Sequence, residues 1–408
     1  VAQPHEAVLR EMAEHYRMPL RDASQSRPQL RHPNRSTSLA FSISRLAKRR
    51  RERRLAVLDS TFPWQMSGFR YHEATAILQA RPDTLFFSTY EMSDPFPAPV
   101  HRLADFPEIA MREGVTDAYG VFLWFLAGLV GLGPSRDGSV PHPMEGLDIS
   151  RTLAAQEIRL HGSLLPGGGL VSTEESYAWA GAVIERLDTV FSFSDDVLDR
   201  FPEVVRVPAA FTETRFYAAS SERWGEPDPL VCLFAADAPP RKGVDVAIET
   251  FSGLADGFHL HVVGPHEHRR SQLSSAKATF HGWLEAPALR DLHKRTHVFL
   301  SPVSAEPSSP PGGGGGMTDG FPTQAAVDAM SSGCLLVSAN PLGDHRVFEP
   351  GVHYIECAAD ATTLRDRLRD LAKDPRAMRR IADAGAARVR ERMDVRFGVE
   401  AKLARIGL

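Results

Sequence analysis

Twice along this 408-residue chain, short apolar runs alternate with segments of helical periodicity. That alternation constrains the fold more than any other feature. Apolar runs of four to eight residues bounded by turn residues suit strands buried on both faces, and intervening helices make those strands parallel. The first series starts at LAVLDS (55–60). It continues through the helical YHEATAILQARP, the strand DTLFFSTY, the strand QEIRLHGSL, a helix near 174–187, the strand TVFSFS and the closing VVRVPAAF. The second runs LVCLFAAD, VDVAIETFSGL, HLHVVGP, ATFHGW, PALRDLHKRT, HVFLSPV, FPTQAAVDAMSSG, CLLVSAN and HYIECA, then helices at 361–373 and 376–392. Between them lies a polar stretch, TETRFYAASSERWGEPDP (212–229), which reads as an inter-domain linker.

The expected division is therefore an extension over 1–54, a first α/β domain over 55–211, the linker 212–229, a second α/β domain over 230–392 and a tail over 393–408. At roughly 150 residues per domain the length suits this count. Ligands of doubly wound sheets bind at the carboxyl ends of the strands, so two such domains place their site in the cleft between them.

Other features bound the function classes. A formal charge of −4 argues against a nucleic-acid binder. Cys232, Cys334 and Cys357 show neither disulfide nor zinc spacing, which suits a reducing, cytoplasmic setting. His259 with His261, and His266-Glu267-His268, lack a third ligand at metal-binding spacing, so no metal is expected. The first 22 residues carry no apolar signal-peptide core. The charge-free stretch AYGVFLWFLAGLVGLGPS (118–135) has nearly the length of a membrane span, but its glycines and Pro134 favour a buried helix or helix plus loop. The basic run at 48–54 is either a solvated face or a peripheral contact for anionic lipid or polyphosphate.

The chemistry concentrates around DGFPTQAAVDAMSSG (319–333). Pro322 and Thr323 suit a helix start, whose free backbone N–H groups and dipole can receive a diphosphate. Asp328, in the first turns, can accept from a ribose hydroxyl. Arg241 and Lys242 follow a strand, where paired cations can hold a diphosphate and neutralise a leaving group. Gly68 follows the first strand and permits close backbone approach to a phosphate. The run Gly312–Gly316 is a flexible segment rather than a dinucleotide fingerprint.

Over about residues 55–390, these segments resemble, in order, the retaining nucleotide-sugar glycosyltransferases of the GT-B fold, in particular glycosyltransferase family 4. STFPWQMSGFRYHEA is similar to the family's first strand and glycine loop, and LVCLFAADAPPRKGVDVAIETF to its strand, basic turn and helix. The resemblance implies two Rossmann-like doubly wound domains facing across a cleft. It implies a sugar transferred from a UDP- or GDP-linked donor to a glycan, lipid-linked or small-molecule acceptor, with no obligatory cofactor beyond the nucleotide sugar. By the same resemblance Asp319 meets the donor sugar, Gly320, Phe321, Pro322 and Thr323 the diphosphate, and Asp328 the ribose. Arg241 and Lys242 then stabilise the departing diphosphate. His161 sits near the donor sugar. Gly264, closing FHLHVVGP, lies by the donor, and Trp283 packs at the nucleobase. The family's two carboxylates are usually Glu with seven residues between them; Asp319 and Asp328 have eight between them. Either the turn carries one extra residue or Glu306 is the first carboxylate. A nucleotide-sugar epimerase and a non-catalytic nucleotide- or glycan-binding scaffold share this architecture.

Overall fold

The run that opens the first series becomes β1 (Leu55–Phe62), a strand with only Thr61 partly exposed. A computed structural model describes residues 53–64, 68–91, 94–133, 147–165, 174–220, 223–224, 229–237, 240–304, 321–341 and 343–408. After β1 come α1 (Gly68–Ala80), β2 (Leu85–Glu91), β3 (Val100–Arg102), α2 (Phe106–Glu113), β4 (Asp117–Val121), α3 (Leu123–Leu129), α4 (Ser150–Gln156), β5 (Arg159–Ser163), α5 (Glu174–Ile184), β6 (Thr189–Ser192), α6 (Asp195–Arg200) and β7 (Val205–Arg206). The second series gives β8 (Leu230–Ala235), α7 (Val244–Ser252), β9 (Phe258–Val263), β10 (Ala278–Phe280), α8 (Ala286–His293), β11 (Val298–Ser301), α9 (Gln324–Ser331), β12 (Leu335–Ser338), β13 (Ile355–Glu356), α10 (Ala361–Ala372), α11 (Pro375–Arg392) and α12 (Val395–Ile406).

The strands form a seven-stranded sheet, ordered β3-β2-β1-β4-β5-β6-β7, and a six-stranded sheet, ordered β10-β9-β8-β11-β12-β13. Among the described residues every strand pairing within them is parallel, for example Leu58 beside Phe87 and Cys232 beside Leu260. Each sheet reverses its strand order once, at β1/β4 and at β8/β11, and those reversals open crevices at the carboxyl ends. Each is covered by apolar packing on both faces, as parallel sheets require.

Local chemistry fixes several boundaries. Asp360, Asp374 and Asp394 cap α10, α11 and α12, their side chains accepting from the amides of Thr363, Ala377 and Arg396. The charge-free stretch expected as a helix divides instead into β4 and α3. Gly120 and Gly162 pave the sheet beneath α3: a Cβ on Gly162 would lie 2.6 Å from Leu126 Cδ1, and one on Gly120 3.2 Å from Leu126 Cδ2. Phe122, at φ 79°, makes the sharp turn between strand and helix. No helix among the described residues is long and apolar enough to cross a membrane.

Residues 1–52 lie outside the described part, so the expected amphipathic helix and most of the basic run are not described. The end of that run is anchored to protein: Arg53 bonds Asp117 and Arg54 bonds Glu113. The segment expected as a tail forms α12. It returns to the first sheet, packing Val395, Val399, Leu403 and Ile406 with Leu55, Val57 and Ile77.

The chain thus passes between the domains twice, and the two crossings are tied together. The amides of Phe211 and Thr212 donate to Met393 O at 3.1 Å, and the Val395 amide donates to Thr212 O at 2.9 Å. The Thr214 hydroxyl donates to Asp394. Gly398 lets α12 approach Ala210, where a Cβ would lie 2.9 Å from the carbonyl oxygen.

Candidate active site

Between the two domains lies a cavity of about 380 Å³. Its walls come from segments that follow the carboxyl ends of strands in both sheets. Phe69 and Glu73 follow β1, Phe122 follows β4, Leu165 follows β5 and Phe193 follows β6. Lys242 follows β8, and Asp344, Arg346 and Phe348 follow β12. The crossing segment 207–211, with Met393 and Lys402, closes one side.

The second-domain wall carries the chemistry expected for an anion. Phe321, Pro322, Thr323 and Gln324 all line the cavity. Thr323 is the N-cap residue of α9 in extended conformation, and its side chain makes no capping bond. The first amides of the helix have no intrahelical carbonyl to bond, so they and the helix dipole favour a negative group there. Lys242 stands on the same cavity, on a 3₁₀ turn over Pro240–Lys242. That turn is packed tightly: the Ser304 amide donates to Arg241 O at 2.9 Å. Gly243, at φ 80°, sits so close that a Cβ would meet Pro302 O at 2.1 Å. Arg241 is half-buried and is not among the cavity's lining residues.

On the first-domain side, a buried ion pair sets the start of α1. Arg70 bonds Asp59 within β1 and Thr61 Oγ1 at 3.1 Å, and its guanidinium stacks 5.3 Å from the Phe122 ring. Burial raises the Asp59 carboxyl above its ordinary value, against the pull of Arg70. Gly68 then faces α9 across the cleft, where a Cβ would lie 3.8 Å from Gln324 Cγ and 3.9 Å from Asp328 Oδ2.

Asp328 is 5% exposed and does not line the cavity. Its Oδ1 accepts from Thr212 Oγ1 at 2.9 Å and from Gln324 Nε2 at 2.8 Å. Burial pushes its carboxyl up to about 7, partly opposed by those two bonds. Asp328 thus ties the linker to Gln324, which is the residue on the cavity.

His161 is not brought to the cleft. It is 1% exposed on β5, and its Nε2 lies 3.0 Å from Asp117 Oδ1 at the amino end of β4. Asp117 also receives Arg53, Arg159 and Thr116. Burial opposes its charge, but His161, Arg53 and Thr116 outweigh that and hold the carboxyl well below the usual range. Asp117 and Arg159 open β4 and β5, so the carboxylate of this knot lies at the amino ends of those strands, whereas the cavity walls follow carboxyl ends. Gly264 and Trp283 follow the carboxyl ends of β9 and β10 and also stand off the cavity. Gly264, at φ 123°, is held against Ala236 O, 2.1 Å from where a Cβ would be. Asp319, Gly320, Glu306 and the run 312–316 lie outside the described residues.

Several lining residues gave no sequence signal. Arg206 and Arg346 both pair with Asp195, joining the two domains at the cavity edge. Arg346 also pairs with Asp344 at 2.6 Å. Glu73 and Lys402 pair with each other across 329 residues of sequence. Gln324 was detectable from its place directly after the helix cap.

The glycosyl transferase-like family model matches residues 245–400, which span most of the second domain and the return crossing. Among solved structures, the chain is similar to Anabaena HepE in complex with UDP and glucose. That match has 14% identity and a TM-score of 0.64, and covers 87% of this chain and 99% of HepE. It is similar to sucrose-phosphate synthase from Thermosynechococcus elongatus at 15% identity and TM-score 0.62, covering 87% and 97%. A glycosyltransferase from Rickettsia africae matches at 11% identity and TM-score 0.60, covering 87% and 98%. No curated protein matches the sequence. The two parallel sheets and these structural similarities identify the fold as GT-B, and residues 245–400 of it are similar to the glycosyl transferase-like family.

Proposed function

We propose that the protein is a retaining glycosyltransferase that takes a sugar from a UDP- or GDP-linked donor. One observation carries this reading: Lys242 and the uncapped amino end of α9 meet on one inter-domain cavity. That pairing suits a nucleoside diphosphate, and two of the similar structures, HepE and an α-glucosyltransferase, were solved with UDP.

In this reading the diphosphate lies on the first turn of α9, beside Phe321–Gln324. Lys242 neutralises the charge that grows on the leaving oxygen, and Arg241 adds to the local positive field. These groups are fixed before the reaction, so they stabilise the oxocarbenium-like transition state without reorganising. Asp328 acts on the donor through Gln324, whose amide it holds. The strained turn at Phe122 and the aromatic first-domain wall shield the reacting carbon from water, which would otherwise hydrolyse the donor. His161 takes no part in binding; with Asp117 it joins the central strands β4 and β5.

Turnover decides between this reading and a non-catalytic scaffold. Purified protein is incubated with UDP-glucose or GDP-mannose and a saccharide panel, and nucleoside diphosphate release is followed. Release that Lys242→Ala cuts at least tenfold, with a product anomer matching the donor by NMR, supports the proposal. Release of no nucleotide from any donor, or inversion of the anomer, overturns it.

A further inference from the structure

Four polar side chains meet on the first-domain wall: Glu73 of α1, Tyr119 of β4, Ser163 of β5 and Lys402 of α12. The Tyr119 hydroxyl lies 3.1 Å from each Glu73 carboxylate oxygen and 2.7 Å from Ser163 Oγ. The Lys402 ammonium donates to the Glu73 carboxylate and, at 2.8 Å, to the Tyr119 hydroxyl. Tyr119 and Ser163 are fully inside the domain, whereas Glu73 and Lys402 line the cavity. Burial works against the Lys402 charge, but Glu73 and Tyr119 outweigh it and hold the ammonium above its ordinary value.

A buried ion pair adds little stability over apolar residues of the same size, so stability is a weak reason for its presence. The pair also has bonding capacity left. An ammonium has three donors, and two are spent here. A carboxylate offers about four acceptor sites, and Lys402 and the single Tyr119 proton fill two. Beside the pair, Phe69 and Phe122 meet edge to face with centroids 5.6 Å apart, and Leu165 joins them on the same wall.

A donor and an acceptor side by side, next to aromatic rings, match a neutral sugar ring. One hydroxyl accepts from the ammonium, its neighbour donates to the carboxylate, and the C–H face lies on the rings. A phosphate here would face the Glu73 carboxylate. An acyl chain would strip water from the pair and return no bond. We propose that Glu73 and Lys402 form the acceptor subsite and recognise two hydroxyls of an uncharged saccharide. Calling that saccharide the acceptor rests on the glycosyltransferase reading; the saccharide site itself does not.

The test measures binding of glucose, mannose, galactose and maltose by saturation-transfer NMR, and of UDP and GDP by calorimetry. Wild type is compared with E73Q, K402M and the double variant E73Q/K402M. The double variant leaves no unpaired buried charge and keeps the side-chain volumes, so it retains the fold even where a single variant does not. The expected result is saccharide binding by wild type, weakened at least tenfold in every folded variant, with nucleotide affinity changed less than threefold. Equal saccharide binding by wild type and the double variant overturns the subsite, as does a wild type that binds none of the four. A wild type that binds saccharide but neither nucleotide leaves the subsite standing and overturns the glycosyltransferase reading instead.

Discussion

Asp328→Asn should make this protein more stable, and more so as the pH rises. Asp328 is 5% exposed, and its two bonds come from Thr212 and Gln324, both neutral. Burial sets its carboxyl at about 7 in the folded protein, against an ordinary value near 3.8. A raised acid favours the folded state while it stays protonated. That advantage is complete below about pH 4, where the unfolded chain is protonated too, and is lost as the pH climbs to about 7. At 1.36 kcal/mol per pKa unit the full loss is on the order of 2–4 kcal/mol once relaxation is allowed for. Asparagine keeps the Oδ1 acceptor and never ionises, so the variant avoids the loss. For a domain of this size each kcal/mol moves Tm by about 2–4 °C. Thermal melts should place the variant at least about 4 °C above wild type at pH 8, with the gap closing towards pH 4.5. A variant that melts at or below wild type at pH 8 would refute the argument, because it would mean that the ionised carboxylate is stabilised where it sits.

Three further outcomes follow from the packing and charge. Gly162→Ala should destabilise the first domain by about 1–3 kcal/mol in denaturant melts, because its Cβ would press 2.6 Å from Leu126 Cδ1. Gly68→Ala should change Tm little, since its Cβ would meet Gln324 and Asp328 at ordinary contact distances of 3.8 and 3.9 Å. Arg346→Ala removes a half-exposed bridge to Asp195, so it should change stability by less than about 1 kcal/mol. It should still widen the distribution of inter-domain distances seen by small-angle scattering or spin-label pairs across the cleft.

Much of the fold was legible because parallel sheets bury both faces of their strands. Runs such as LAVLDS and CLLVSAN therefore stand out as uninterrupted apolar segments. β4 was hidden for the same reason. After Asp117 it runs without a charged residue into α3, and the turn at Phe122 and the packing of Gly120 and Gly162 against Leu126 separate strand from helix. Part of the cavity wall was legible too, because a helix start and a basic turn are local in sequence. Lys242, Phe321, Pro322 and Thr323 all line the cavity. The first-domain wall was not. Glu73 and Lys402 lie far apart in the chain and join only because α12 returns to the first domain. His161 misled because a histidine on a strand does not reveal which end of the sheet its ring faces. Asp117, surrounded by Arg53 and Arg159, draws it to the amino end.

In the proposed function the cavity binds a nucleoside diphosphate at Lys242 and the amino end of α9. The most direct measurement is thermal stability of wild type and Lys242→Ala against UDP, GDP, ADP and dTDP. A ligand at 100 times its Kd stabilises by about 2.7 kcal/mol. The expected result is a rise of several degrees with UDP or GDP in wild type, reduced by most of its size in the variant. Flat curves for all four nucleotides, or an equal rise in wild type and variant, would contradict it.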